Sequence, residues 1–262
     1  MASDQTILFH STIFGPIHSR RLGTSLGVNL SPSDGKVCSF DCIYCEAGYN
    51  RQGTGQSGLP SRADVARDLL AKLQQMKAEG QSLDVITFSG NGEPTLNPAF
   101  PEIVDDTIAL RDEYFPNAKV SVLTNSTRID NPAVCAALKK VDNNILKLDS
   151  ANEATMRLID APVQASFTVE KVIGLLGQFA GQGIIQTMML CGSHCGRKVD
   201  NTTPEEVSAL IEAYKRINPA SVMIYSLDRS TPEEDLQKVS KDELEEIARR
   251  IESETGIKVT VS

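Results

Sequence analysis

Three cysteines fall inside eight residues, Cys38, Cys42 and Cys45, in the spacing C-x-x-x-C-x-x-C. Thiolates are soft ligands, and three on one loop can converge on one metal centre. Iron–sulfur cubanes are ordinarily held by four cysteines. A compact triplet with no fourth Cys nearby therefore reads as a 4Fe-4S cluster with one iron open to a non-protein ligand, and chemistry can happen there. The competing readings are a zinc site, a disulfide loop and three unrelated buried thiols; zinc more usually pairs C-x-x-C with a second Cys or His pair downstream. A second group of reactive types comes late, at Cys191-Gly192-Ser193-His194-Cys195-Gly196. With Cys135 it could hold a second metal or supply a catalytic thiol; incidental thiols are the alternative. His10 and His18 read as structural or exposed.

Downstream of the triplet, Gly90-Asn91-Gly92-Glu93-Pro94 follows an apolar run. Glycines let backbone approach a ligand, and Glu93 is the one charge in the turn. Taken alone, G-x-G-E is more often a tight turn than a site. The cysteine spacing, with aromatic Tyr44 just before the last cysteine, resembles the signature of the radical S-adenosylmethionine (SAM) superfamily, and Gly90–Pro94 resembles its Gly-Gly-Glu motif. Within it, Ser19-Arg20-Arg21-Leu22-Gly23 and Thr87-Phe88-Ser89 running into Gly90–Leu96 are most similar to the group containing the tRNA wyosine synthases.

The resemblance implies a 4Fe-4S cluster on Cys38, Cys42 and Cys45, with SAM chelating the open iron through its amine and carboxylate. One electron would then release a 5′-deoxyadenosyl radical that takes hydrogen from a substrate. By motif position, Gly90, Gly92 and Glu93 meet the methionyl amine, Asn125 or Asp149 bonds the ribose, and Tyr44 lies near adenine. The bland readings are a turn-stabilising Asn125, a helix-capping Asp149 and a core Tyr44. An electron donor such as flavodoxin or ferredoxin is implied as a partner. The wyosine synthases carry further cysteines and a pyruvate-holding lysine ahead of the triplet. This chain has no Cys before Cys38 and no Lys before Lys36, so the expected substrate is a small molecule or nucleoside rather than tRNA. Two other functions stay open: an activase of a glycyl-radical enzyme, and an iron–sulfur redox carrier or sensor that never cleaves SAM.

At 262 residues, 40% hydrophobic and 23% charged, the composition is that of an ordinary globular protein. No apolar run approaches the 18 or so residues of a membrane span, and the N-terminus lacks a secretory pattern. A reducing cytoplasm is expected, where six cysteines favour metal over disulfides. The net charge of -8 argues against nonspecific binding to nucleic acid. Residues 1–62 carry five basic and four acidic side chains, leaving -9 for the remainder, so only the segment around the cysteines leans basic. That lean suits an anionic ligand or is an ordinary arginine surface.

The elements that must position these residues alternate in type. Strands are expected at 26–30, 84–88, 120–123, 145–148, 184–190, 222–225 and 257–261; helices at 62–79, 98–112, 131–140, 169–180, 204–217 and after Ser240. Residues 46–60, with Gly48, Gly53, Gly55 and Gly58, read as a mobile loop that could act as a lid. Six strand–helix units indicate a parallel sheet with helices outside. The resemblance makes this an α/β partial (β/α)6 barrel of the radical SAM type with short N- and C-terminal extensions. A single domain over 1–262 is expected, with its core at about 22–228 and a helix–strand extension at 229–262. In such folds sites gather at the C-terminal strand ends, which would put Cys191 and Cys195 on the substrate side.

Overall fold

The computed structural model describes residues 7–19, 23–229 and 231–262. Residues 1–6, and Arg20, Arg21 and Leu22 of the arginine motif, lie outside them. The chain runs β1 (Ile13–Ser19), β2 (Gly23–Val28), α1 (Arg62–Ala78), β3 (Val85–Phe88), α2 (Phe100–Tyr114), β4 (Lys119–Thr124), α3 (Pro132–Leu138), β5 (Asn143–Lys147), α4 (Glu153–Ile159), α5 (Val169–Leu176), β6 (Ile184–Met188), β7 (Leu190–His194), β8 (Arg197–Asp200), α6 (Pro204–Ile217), β9 (Ser221–Tyr225), β10 (Leu236–Lys238), α7 (Lys241–Thr255) and β11 (Val259–Val261).

Eight strands form one sheet in the order β1-β2-β3-β4-β5-β6-β9-β11. All neighbours are parallel except β1, which returns antiparallel along β2. The six strands β2 to β6 and β9 are the six units expected of the partial barrel. A separate small antiparallel sheet, β10-β7-β8, stands beside it. Among the described residues no helix is long and apolar enough to cross a membrane.

Local chemistry explains the boundaries. Ser61 caps α1 by accepting from the Asp64 N–H, and Val65, Leu69, Leu73 and Met76 then recur on one buried face. Thr203 caps α6 ahead of Pro204, and Asn218 ends it in the left-handed conformation. All four residues of β3 are buried, as befits a parallel strand covered on both sides. Phe88 packs edge-on against Phe100 of α2, with centroids 6.0 Å apart.

The structure departs from the sequence expectations at four places. The first strand ends at Val28, because Asn29 turns its side chain to bond the Ser31 and Asn91 N–H groups. The antiparallel β1 and the short α4 were not anticipated. The strand expected to run to residue 190 ends at Met188, and the chain reverses into the β7–β8 hairpin, whose turn residues Cys195 and Gly196 have φ of 49° and 72°. A two-residue hairpin turn of the I′ type needs such positive φ at both central positions.

Candidate active site

The cysteine loop leaves β2 and is fastened at several points. Val37 forms a parallel bridge with Gly92, its N–H donating to the Asn91 carbonyl at 3.2 Å and its carbonyl accepting from the Glu93 N–H at 3.0 Å. On the far side the Asp41 and Ile43 N–H groups reach the Asp160 and Ile159 carbonyls at the end of α4. The Gly90–Glu93 turn needs its glycines for space. A Cβ on Gly92 would stand 1.9 Å from the Val37 carbonyl oxygen, and one on Gly90 would stand 2.4 Å from Asn29 Oδ1. Asn91 between them is fully buried and clasps Phe9 through both backbone groups, so its role is to hold the N-terminal segment.

These fastenings bring the expected residues around one cavity of about 230 Å³ at the C-terminal ends of the parallel strands. Cys38, Cys42, Cys45, Tyr44, Gly90, Gly92, Glu93 and Asn125 all line it. Glu93 is enclosed, and its carboxylate accepts from Thr95 N–H, Thr95 Oγ1, Thr124 Oγ1 and, at 2.7 Å, Asn125 N–H. Asn125 caps its own turn through Thr127 and directs Nδ2 toward Cys38 Sγ at 3.6 Å.

Asp149, the second of the two residues expected for the ribose, stands behind the cavity wall. It is wholly enclosed and does not line the cavity. Its oxygens accept from the Met188 N–H, from Tyr44 Oη and, at 3.2 Å, from Lys147 Nζ, so it orients two residues that do face the space. Cys191 and Cys195 also depart from expectation. The hairpin carries them to the small sheet, where Cys191 borders a separate surface cleft with Asp200 and Gln237, and Cys195 is exposed beside the His194 ring. Neither lines the main cavity, because the strand that would have delivered them there ends at Met188. Cys135 is buried in α3, which covers the sheet from outside as expected.

Two lysines that the motifs did not single out set the electrostatics. Lys36 is 2% exposed and donates to the Gly48 carbonyl at 2.6 Å and to Asp41 at 3.4 Å. Burial opposes its charge, but Cys45, Cys38, Cys42 and Asp41 outweigh that and hold its pKa above the ordinary value. Lys147, at the end of β5, lines the cavity and lies 4.7 Å from the Tyr44 ring centroid. Burial again opposes the charge, and Asp149, Tyr225, Cys42 and Asp160 again prevail, so it stays an ammonium. A lysine held protonated is a cationic partner, not a free amine nucleophile. Burial pushes the Cys38 thiol up to about 12, with Glu93 adding to it, and pushes Cys42 up as well, aided by Asp160. Desolvation and Asp149 hold the Asp160 carboxyl well above the usual range. A charged residue inside the short buried run 145–148 was the one sequence signal for Lys147.

The donor set was weighed against the groups it could hold. Among the described residues no three His, Cys, Asp or Glu side chains are arranged around a single metal ion. Three thiols spaced around an open cavity, with glycine backbone and a carboxylate opposite, fit a polynuclear cluster bearing an additional organic ligand. The described cysteines form no disulfide.

A sequence family described as the Radical SAM superfamily matches residues 33–194. The chain is 28% identical over 252 residues to a protein named GTPase Obg from Brachyspira hyodysenteriae, covering 95% of this chain but 35% of that relative's length. It is 30% identical over 226 residues to a UPF0026 protein of Synechocystis, covering 84% of this chain and 77% of the relative. Among solved structures, TYW1 with a lysine-pyruvate adduct bound superposes with a TM-score of 0.63 at 17% identity, covering 91% of this chain and 76% of that one.

Proposed function

Because the chain belongs to the radical SAM superfamily, whose enzymes use a 4Fe-4S cluster and SAM, we propose that Cys38, Cys42 and Cys45 hold the cluster and that the Gly90–Glu93 turn receives SAM. One observation carries this reading: all six of Cys38, Cys42, Cys45, Gly90, Gly92 and Glu93 border the same cavity. When bound, the pair supplies a 5′-deoxyadenosyl radical that abstracts hydrogen from substrate. The protein's own contribution is binding and charge. Lys36 offsets the negative charge that three thiolates bring into a buried loop. Glu93, held by four donors, presents a fixed acceptor surface to an ammonium. In this reading Asn125 meets the ribose, Tyr44 walls the adenine and Lys147 pairs with a carboxylate, supported by all three lining the cavity and by the Asp149 bonds that hold Tyr44 and Lys147.

The reading calls for one domain over 1–262, a cytoplasmic setting and an electron donor of the flavodoxin or ferredoxin kind. It favours a small molecule or nucleoside as substrate. A lysine paired with Asp149 and held protonated gives no support to carbonyl condensation of the sort a lysine-pyruvate adduct represents.

Anaerobic reconstitution tests it. Wild type should take up about four irons and sulfides per chain. With dithionite and SAM it should release 5′-deoxyadenosine. The Cys38→Ala, Cys42→Ala, Cys45→Ala variant should lose both, and Glu93→Ala should weaken SAM binding while keeping most iron. Unchanged iron in the triple variant would refute the cluster assignment, and equal SAM affinity in Glu93→Ala would remove Glu93 from the site.

A further inference from the structure

The inner face of the sheet continues past the cysteine cavity into a second space of about 220 Å³, and Ser89, Leu123 and Gln186 border both. The two halves differ in charge. The first contains Glu93 and Lys147. The second is lined by Phe9, Phe14, Ile145 and Met223, with Ser25 and Thr87 bonded to each other at 2.9 Å, and among the described residues no Asp, Glu, Lys, Arg or His borders it. Strand register places the change of character at one residue: Gln186 of β6 is paired with Lys147 of β5 on one side and Met223 of β9 on the other.

Gln186 is 6% exposed, and its carboxamide has no hydrogen-bond partner among the described residues, although it borders both spaces. With its polar atoms open to the cavity and unpaired by protein, this carboxamide is left to solvent when the space is empty, and a group that displaces that solvent has to replace its hydrogen bonds. A carboxamide offers a donor beside an acceptor and is matched by a neutral group with the same pair reversed. The wall beside it is flat: the Phe9 and Phe14 rings stack at 3.8 Å and 18°, and the Phe14 ring lies so close to Gly27 that a Cβ there would be 2.1 Å away.

We propose that this second space is the substrate subsite and that it takes an electrically neutral, flat group presenting a carboxamide or lactam edge to Gln186. The proposal deepens the radical SAM reading and rests on it for the reaction, though not for the binding. A charged substrate group would enter a low-dielectric space with no countercharge among the described residues, whereas a neutral amide edge pairs with the Gln186 carboxamide and stacks its plane on the aromatic wall.

Three probes of one size and shape test it: benzamide, benzoate and benzamidinium, titrated against the anaerobically purified full chain by ligand-detected NMR. Binding is assigned to the subsite when Met223→Trp, which fills it, abolishes the signal. Benzamide should bind there at least about tenfold more tightly than either ion, and Gln186→Leu should weaken it by about tenfold or more. Removing an unpaired polar group leaves folding intact, so the Tm of Gln186→Leu should not fall. The proposal is overturned if benzoate or benzamidinium binds the subsite as well as benzamide does, if Gln186→Leu binds benzamide like wild type, or if none of the three binds. Iron content and 5′-deoxyadenosine release on the same preparations report on the cluster separately. Their loss alongside intact benzamide discrimination would sink the chemistry and leave the subsite standing.

Discussion

A thiol serves as an iron ligand only after losing its proton, and the environment of Cys38, one of the three ligands proposed above, resists that loss. Burial raises it to about 12, with the Glu93 charge acting in the same direction. Without the cluster, Cys38 is therefore protonated throughout the neutral range, and its thiolate fraction grows about tenfold per pH unit up to that value. Cys195 is exposed at the hairpin turn. In cluster-free protein at pH 8, iodoacetamide should modify Cys195 at least about a hundredfold faster than Cys38, because Cys195 is exposed while the Cys38 thiol is held protonated. Mass spectrometry of a timed alkylation reads the two sites at once, and similar rates would show that the Cys38 thiol is not held protonated. Cluster assembly must then release protons, so iron uptake should speed up as the pH is raised.

At the scale of elements, the site depends on two loops docking edge to edge through the Val37–Gly92 bridge. Gly92→Ala puts a methyl 1.9 Å from a backbone carbonyl, which cannot be relieved by a side-chain rotation. The loops must part, so the variant should fold yet retain less than about half the wild-type iron, with Tm lower by about 4–8 °C for a loss of about 2 kcal/mol. Wild-type iron content and Tm would mean the bridge is dispensable. The sequence disclosed the cysteine triplet and the glycine–glutamate turn because each is a local motif, and it disclosed the parallel strands because buried apolar runs alternate with capped helices such as the one after Ser61. Residues whose roles depend on distant partners stayed hidden. Gln186 and Lys147 gain meaning only when β5, β6 and β9 lie abreast, and Lys36 only when the loop folds its ammonium back onto Gly48. The β7–β8 hairpin was missed because its turn reads Cys-Gly rather than the usual Asn-Gly, and because Gly192 is needed for a tertiary reason, the approach of the Asp235 carbonyl to where a Cβ would stand. Cys191 and Cys195 are carried away from the cavity because β6 ends at Met188 and the chain passes into β7.

For the whole molecule, the cysteine loop is a junction as well as a ligand set. Its backbone bonds reach Ile7 through the Glu46 carbonyl, Gly53 through the Lys36 N–H, the turn after β3 through Val37, and the end of α4 through Asp41 and Ile43. These contacts come from segments up to about 150 residues apart in sequence, so their mutual stability is set by how firmly the loop is held. The cluster proposed for Cys38, Cys42 and Cys45 would bind the folded chain better than the unfolded one, and by mass action it would stabilise every segment fastened to that loop. Buried Lys36 adds to the coupling: with neutral thiols its countercharge is Asp41, and with thiolates it gains three more. Chelating the iron anaerobically should therefore lower the Tm by on the order of 10 °C. Hydrogen exchange should accelerate together in residues 36–48, 90–93 and 159–162, while α6 and α7, which make no such bond to the loop, keep their protection. Exchange that rose in residues 36–48 alone would show that the loop carries its cluster without bracing the sheet, and uniform acceleration including α6 and α7 would indicate that the fold as a whole depends on the metal.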